Sequence, residues 1–291
     1  MKAKNELVSR RQVITRVAAT AGWLVLSPQF SPLFAEETKR RFKIGACQWS
    51  LRKSGPECFE VAKEIGLDGV QVDMGSAGND MHLRQAEVQQ AYLAAAKKSG
   101  LQISSLALAE MNNIPLKNDP RAEQWLADSI AVMKALNVKI VLVAAFAKGD
   151  LTGDSAGIDH TVEVLKRLAP KAESAGVIFG LENYLSAGEN LDIIKRVGSS
   201  AVQVYYDVGN STDKGYDIYK EIRMLKGQVC EFHAKDGEFM LGQGRIDFHK
   251  VREAMDAIDY RGWIQLEAAA PHNLVRDYQA DLAFLNGIFN A

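Results

Sequence analysis

The sequence predicts a single (β/α)8 TIM barrel. Three observations carry this expectation: eight short runs apolar at successive positions, amphipathic helical patterns between them, and a nearly constant spacing in the second half of the chain. Runs that are apolar at successive rather than alternate positions suit parallel strands buried on both faces. Eight strand–helix units in about 250 residues match the usual size of one closed barrel. A doubly wound open sheet, the alternative for alternating elements, seldom uses eight evenly spaced units.

The first strand is KIGACQWSL (43–51), followed by a helix through Glu60, Val61, Ala62 and Ile65 that stops at Gly66. GVQVDMG (69–75) leads to a helix over 82–98, ended by Gly100, and QISSLALAEMN (102–112) leads to one over 120–136. KIVLVAA (139–145) precedes the helix 158–175, closed by Gly176. The remaining strands are VIFGLEN (177–183), VQVYYDVGN (202–210), VCEFHAKDG (229–237) and WIQLEAA (263–269). Helices over 188–196, 217–226, 248–258 and 276–288 follow them, and Gly198 ends the first of these. Glycine at such stops takes the left-handed conformation that closes a helix. No Pro- or Ser-rich linker divides residues 36–291, so one domain is expected there.

Residues 1–35 read as a separate leader. Ser9-Arg10-Arg11 precedes Val13-Ile14 and the weakly apolar VAATAGWLVL, and no carboxylate occurs between Glu6 and Glu36. This pattern is similar to a twin-arginine export signal, with cleavage expected near Ala35. It predicts a periplasmic or otherwise exported protein that meets the twin-arginine export machinery. Retention as an anchor is the alternative. The apolar stretch, followed by Pro28 and Pro32, is too short for a stable membrane span, and none is expected in the mature chain.

The 291 residues are 47% hydrophobic and 24% charged, with a net charge of −1, which is ordinary for a soluble globular protein. That charge gives no basic footprint for phosphates, which argues against nucleic acid as a partner. The three cysteines are odd in number and none forms a C-x-x-C pair, so no disulfide framework is expected. Cys47 and Cys230 lie in strand patterns and read as small buried hydrophobes.

Each of the last four strands ends near a residue able to bind a metal: Glu182, Asp207, His233 and Glu267, separated by 25, 26 and 34 residues. In a parallel barrel these strand ends converge on the face that carries the active site. Three carboxylates and one imidazole make a suitable shell for one divalent cation. A carboxylate buried there without a partner would be costly, and a cation removes that cost.

At these residues the chain resembles a known family. Gly180-Leu181-Glu182-Asn183, Tyr206-Asp207-Val208-Gly209-Asn210, Phe232-His233-Ala234-Lys235-Asp236, Gly242 to Phe248, and Trp263 to Glu267 resemble, in order and spacing, the xylose isomerase-like barrels. These are the sugar phosphate isomerases/epimerases and their relatives, and the resemblance covers residues 43–288. It implies that Glu182, Asp207, His233 and Glu267 bind one divalent ion: manganese, magnesium, cobalt or zinc. It also implies that Glu182 and Glu267 double as catalytic acid and base. Proton transfer through a metal-stabilised enediolate would then give epimerisation or aldose–ketose isomerisation of a small-molecule sugar or polyol.

Further expectations attach to single residues. Asn210 stands where many members carry a substrate-contacting histidine; an amide can bond a hydroxyl but cannot carry a proton near neutral pH. Lys235 is expected on a substrate oxygen, and Asp236 behind the metal shell, orienting the ligand imidazole. Trp49 and Tyr184 are candidates to stack on a sugar ring, and Glu110 to bond its hydroxyls. Gly242-Gln243-Gly244 is expected to shape a loop over the site. Of the five histidines only His233 ends a strand, which argues against a multi-zinc nuclease. A metal-dependent dehydratase or lyase on keto-sugars or keto-glycosides is the alternative, with Lys235 or Glu110 as the acid. A non-catalytic carbohydrate-binding barrel is the third reading. Substrate, preferred metal and homo-oligomer formation are left open.

Overall fold

Eight parallel strands close into a barrel in sequence order in the computed structural model, which describes residues 41–290. The leader expected over residues 1–35 lies outside them. The strands are β1 (Phe42–Cys47), β2 (Gly69–Asp73), β3 (Gln102–Leu108), β4 (Ile140–Ala145), β5 (Ile178–Asn183), β6 (Val202–Asp207), β7 (Val229–Ala234) and β8 (Gly262–Leu266). Closure comes from the parallel pairing of β1 with β8, from Phe42 opposite Gly262 to Ala46 opposite Leu266. Outside run α1 (Cys58–Ile65), α2 (Ala86–Ser99), α3 (Pro120–Leu136), α4 (Ser155–Ala175), α5 (Ala187–Val197), α6 (Val208–Asp213), α7 (Ile218–Leu225), α8 (Phe248–Ala257) and α9 (Leu274–Phe289). The expected barrel is therefore the one found. No helix among the described residues is long and apolar enough to cross a membrane.

The four glycines expected to end helices, Gly66, Gly100, Gly176 and Gly198, are all left-handed C-caps. Helix starts are fixed by side chains that accept backbone N–H groups: Asp119, Asp154, Ser186, Asp217, Asp247 and Asn273. Each such cap contributes about 1 kcal/mol by satisfying a donor the helix cannot pair itself.

Local deviations concentrate where strands meet the site. β3 stops at Leu108, four residues before its apolar pattern does, because Ala109–Asn112 coils into a 3-10 turn. The helix expected from residue 82 starts at Ala86, after a separate turn over His82–Arg84. The sequence pattern also missed α6, which starts directly at the end of β6 with Asp207 as its cap.

The core has two parts. The larger lies between strands and helices and includes Ile44, Phe59, Val72, Leu108, Val141, Phe179, Phe232 and Ile264. The smaller, inside the barrel, gathers Ala107, Leu142, Ala144, Tyr205 and Cys230. Side chains alternate between these two faces along the strands, except at the irregular β6–β7 pairing, where Cys230 and Glu231 both face inward. Inward positions of β4 are apolar, whereas those of β7 and β8 include Glu231, His233 and Gln265, all fully buried. The barrel interior thus has an apolar side and a polar side, and the polar side leads up to the candidate site.

Candidate metal centre and active site

Glu182, Asp207, His233 and Glu267 converge at the C-terminal mouth, each offering one ligand atom within 4.8 Å of the others. Strand register produces this convergence. Asp207 pairs with His233 across β6–β7, and His233 with Gln265 across β7–β8, two residues short of Glu267. His233 Nδ1 lies 2.8 Å from Glu182 Oε1, 3.6 Å from Glu267 Oε2 and 3.9 Å from Asp207 Oδ2. Lys235 Nζ lies 2.8 Å from both Asp207 Oδ2 and Glu267 Oε2.

Asp207 divides its two oxygens between structure and site. Oδ1 accepts the backbone N–H groups of Gly209 and Asn210 and so caps α6. Oδ2 is buried and accepts no directed hydrogen bond, its contact with Lys235 being an ion pair off the bonding direction. Glu267 is gripped on both sides: Trp49 Nε1–H donates to Oε1 at 2.7 Å and Lys235 to Oε2 at 2.8 Å.

The donors fit a divalent cation. An ion about 2.0–2.3 Å from each ligand needs donor atoms roughly 3–4.6 Å apart, and His233 Nδ1 lies 2.8, 3.6 and 3.9 Å from the three carboxylates, close to that range.

The electrostatics separate the two candidate catalytic carboxylates. Burial pushes Glu182 up to about 7, against the pull of His233. Burial acts the same way on Glu267, but His233 and Lys235 outweigh it and hold that carboxyl at about 2. Asp207 is raised, again by burial, with Lys235 opposing. Burial disfavours a charged His233, yet its surroundings raise it well above the ordinary value. We attribute that to Glu182 and Glu267 rather than to the adjacent Cys47 sulfur. Burial keeps Cys47 a neutral thiol by pushing it up to about 12.

Beside the cluster is a cavity of about 310 Å³, lined by Trp49, Ala109, Asn112, Leu142, Ala144, Phe146, Glu182, Tyr184, Asn210, Lys235 and Glu267. That is small-molecule size. The polar side of the barrel supplies the carboxylates and Lys235; β4 and the residues after it supply an apolar wall. Tyr184 packs on Phe146 with ring centroids 4.6 Å apart and carries Lys214 Nζ 3.9 Å above its own ring.

Most of the residues singled out from sequence therefore meet here: Trp49, Glu182, Tyr184, Asp207, Asn210, His233, Lys235 and Glu267. Two do not. Glu110 sits in the 3-10 turn that ends β3 early, accepts a bond from Asn113 and does not line the cavity; the same turn brings Asn112 to the wall instead. Asp236, expected to orient His233, faces the following loop. Its carboxylate accepts the backbone N–H groups of Gly242, Gly244, Arg245 and Ile246. Successive residues of a strand point to opposite sides, so the residue three after His233 does not share its direction. The loop-shaping role expected of Gly242 to Gly244 is thus realised through Asp236. Arg245 pairs with Asp213.

His233 finds its other partner in Gln71, in the middle of β2, with Nε2 2.8 Å from Gln71 Oε1. The sequence shows only a glutamine in the middle of a short strand run; its full burial against His233 appears with the fold. Phe146 was also missed; its backbone N–H is held by Asn112 Oδ1 at 3.0 Å.

Comparison with known proteins gives a consistent picture. A 2-epi-5-epi-valiolone 7-phosphate 2-epimerase from Actinoplanes sp. is 26% identical over 197 residues, covering 67% of this chain and 73% of that protein. An L-ribulose-5-phosphate 3-epimerase from Shigella boydii is 21% identical, covering 71% and 79% respectively. Among solved structures, a D-psicose 3-epimerase from Clostridium cellulolyticum superposes with a TM-score of 0.71 at 20% identity, covering 85% of this chain and 99% of that one. A 3-keto-D-glucoside 4-epimerase from E. coli gives 0.72 at 17% identity, covering 84% and 99%. Residues 59–288 match the xylose isomerase-like TIM barrel family, and the chain belongs to it.

Proposed function

We propose that the protein is a divalent-metal-dependent isomerase or epimerase acting on a carbohydrate or related polyol. The observation that carries this reading is the Glu182–Asp207–His233–Glu267 cluster opening onto a small-molecule cavity at the mouth of the barrel. That the relatives above are named as sugar epimerases supports it.

A divalent ion on these four ligands would polarise a substrate carbonyl and its neighbouring hydroxyl, acidifying the C–H between them. The chain's own residues then divide the proton work. Glu267, kept ionised by Trp49, Lys235 and His233, takes the proton. Glu182, the other carboxylate at the mouth, returns one from the opposite face. Lys235 and Asn210 bind substrate oxygens, and Trp49 and Tyr184 flank the ring. Return to the same carbon from the other face is epimerisation; return to the neighbouring carbon is isomerisation.

The test is metal content by elemental mass spectrometry, followed by solvent-deuterium exchange into sugars and keto-sugars. We expect about one divalent ion per chain, weakened in His233→Ala. In Glu182→Gln and Glu267→Gln we expect exchange slowed by about 10²–10⁴-fold, the usual contribution of a positioned acid or base. A protein that takes up no manganese, cobalt or zinc sinks this reading.

Elimination from the same intermediate is the second reading. Lys235 favours it as a cation in the cavity wall, whereas Glu110 is not among the cavity's lining residues. Product analysis separates the two, since elimination creates an unsaturated product. We further propose that residues 1–35 direct export through the twin-arginine route. Folding before export would let the cytoplasm choose the metal. Processing of the full chain in cells with and without that machinery tests this.

A further inference from the structure

His233 can offer a metal only one of its two ring nitrogens, and the chain must fix which. Nδ1 faces the three carboxylates; Nε2 faces into the barrel, 2.8 Å from Gln71 Oε1. Two observations set the orientation of that amide. Gln71 Nε2 donates to the Tyr205 hydroxyl at 3.0 Å, and the Cys47 thiol donates to Gln71 Oε1 at 3.3 Å. The Tyr205 oxygen accepts from Gln71, so its own proton points away from that amide. With Gln71 Nε2 committed to Tyr205, its Oε1 is left to face His233, and a carbonyl oxygen there accepts the ring's proton.

We propose that Gln71, backed by Tyr205, is a positioning residue that holds the proton of His233 on Nε2 and so presents the Nδ1 lone pair to the metal. The inference rests on the metal-site reading above and adds a second, interior layer to it. Gln71 does not line the cavity and touches no substrate. The Tyr205 ring supports the same geometry, packing edge-on against His233 with centroids 4.5 Å apart.

The test uses cobalt(II) and zinc(II) as probes on the full chain. In zinc-loaded protein labelled with ¹⁵N-histidine, NMR should show one ring with metal on Nδ1 and a slowly exchanging proton on Nε2. Gln71→Met, which removes the acceptor at similar volume, should weaken cobalt binding about 10- to 100-fold, the usual cost of losing a partner behind a metal ligand. Gln71→Glu keeps an acceptor and should restore affinity to within a few-fold of the parent, which a merely structural role for the amide would not produce. Wild-type cobalt affinity in a folded Gln71→Met, or zinc on Nε2 in the parent, overturns the proposal while leaving the metal site standing. If Gln71→Met does not fold, the parent's ring spectrum and the Gln71→Glu affinity decide the matter. A parent that takes up neither ion overturns the metal-site reading and this inference together.

Discussion

At the scale of single residues, the site depends on side chains that each serve two neighbours. Asp207 caps α6 with one oxygen and turns the other to the cluster, while Lys235 bridges Asp207 and Glu267. Gly209 shows how tightly this is packed: a Cβ built there would stand 2.3 Å from Lys235 Cγ. The glycine is needed for space, since the lysine stem crosses its backbone. Gly209→Ala should push Lys235 off its two carboxylates and cost about 1–3 kcal/mol as an overpacked substitution. Urea denaturation would read that loss, and a wild-type midpoint would count against it. The residues that converge were readable in sequence because each closes an apolar run. Gln71 was not, because a mid-strand glutamine acquires meaning only when β2 is placed opposite His233.

At the scale of elements, the loop between β7 and α8 is built around one buried carboxylate. Asp236 gathers four backbone N–H groups from Gly242 to Ile246, and a Cβ on Gly244 would lie 2.3 Å from Asp236 Oδ1. Bonds to a charged acceptor contribute about 1.5–3 kcal/mol each at most, with strong overlap when they share one group. Asp236→Ala should therefore lower stability by about 3 kcal/mol or more. It should raise exchange of the 242–246 amides yet leave metal affinity within a few-fold. Metal loss with an intact loop would restore the role first expected of Asp236 behind His233. The strand-end 3-10 turn that removes Glu110 and delivers Asn112 belongs to this scale too. An apolar pattern marks a strand's buried stretch but not the residue at which its backbone leaves the sheet.

At the scale of the whole molecule, buried carboxylates away from the cluster give stability its own pH dependence. Asp281, on α9 with its side chain almost fully buried, accepts the backbone N–H of Leu241. Burial pushes it up to about 6 from the ordinary 3.8. A raised folded-state value means the folded protein holds this proton more tightly than the unfolded chain. Its stabilising contribution is complete below about 4 and is lost as pH rises through about 6. Asp281→Asn should thus gain on the parent by roughly 1–3 kcal/mol between pH 4 and pH 8, because each tenfold difference in proton affinity is worth about 1.4 kcal/mol. Denaturation midpoints across that window check it, and a constant difference would show that Asp281 does not titrate as described. The barrel, the order of its strands, the glycine stops and the four convergent candidate ligands were all legible in the chain before folding. Periodicity, spacing and strand-end chemistry are local and repeat along it. Three outcomes were not legible there: that Asp236 serves a loop, that Glu110 stays out of the cavity and that Gln71 stands behind His233. They depend on the direction in which a side chain leaves its strand and on what a distant strand places opposite it, which barrel closure alone supplies.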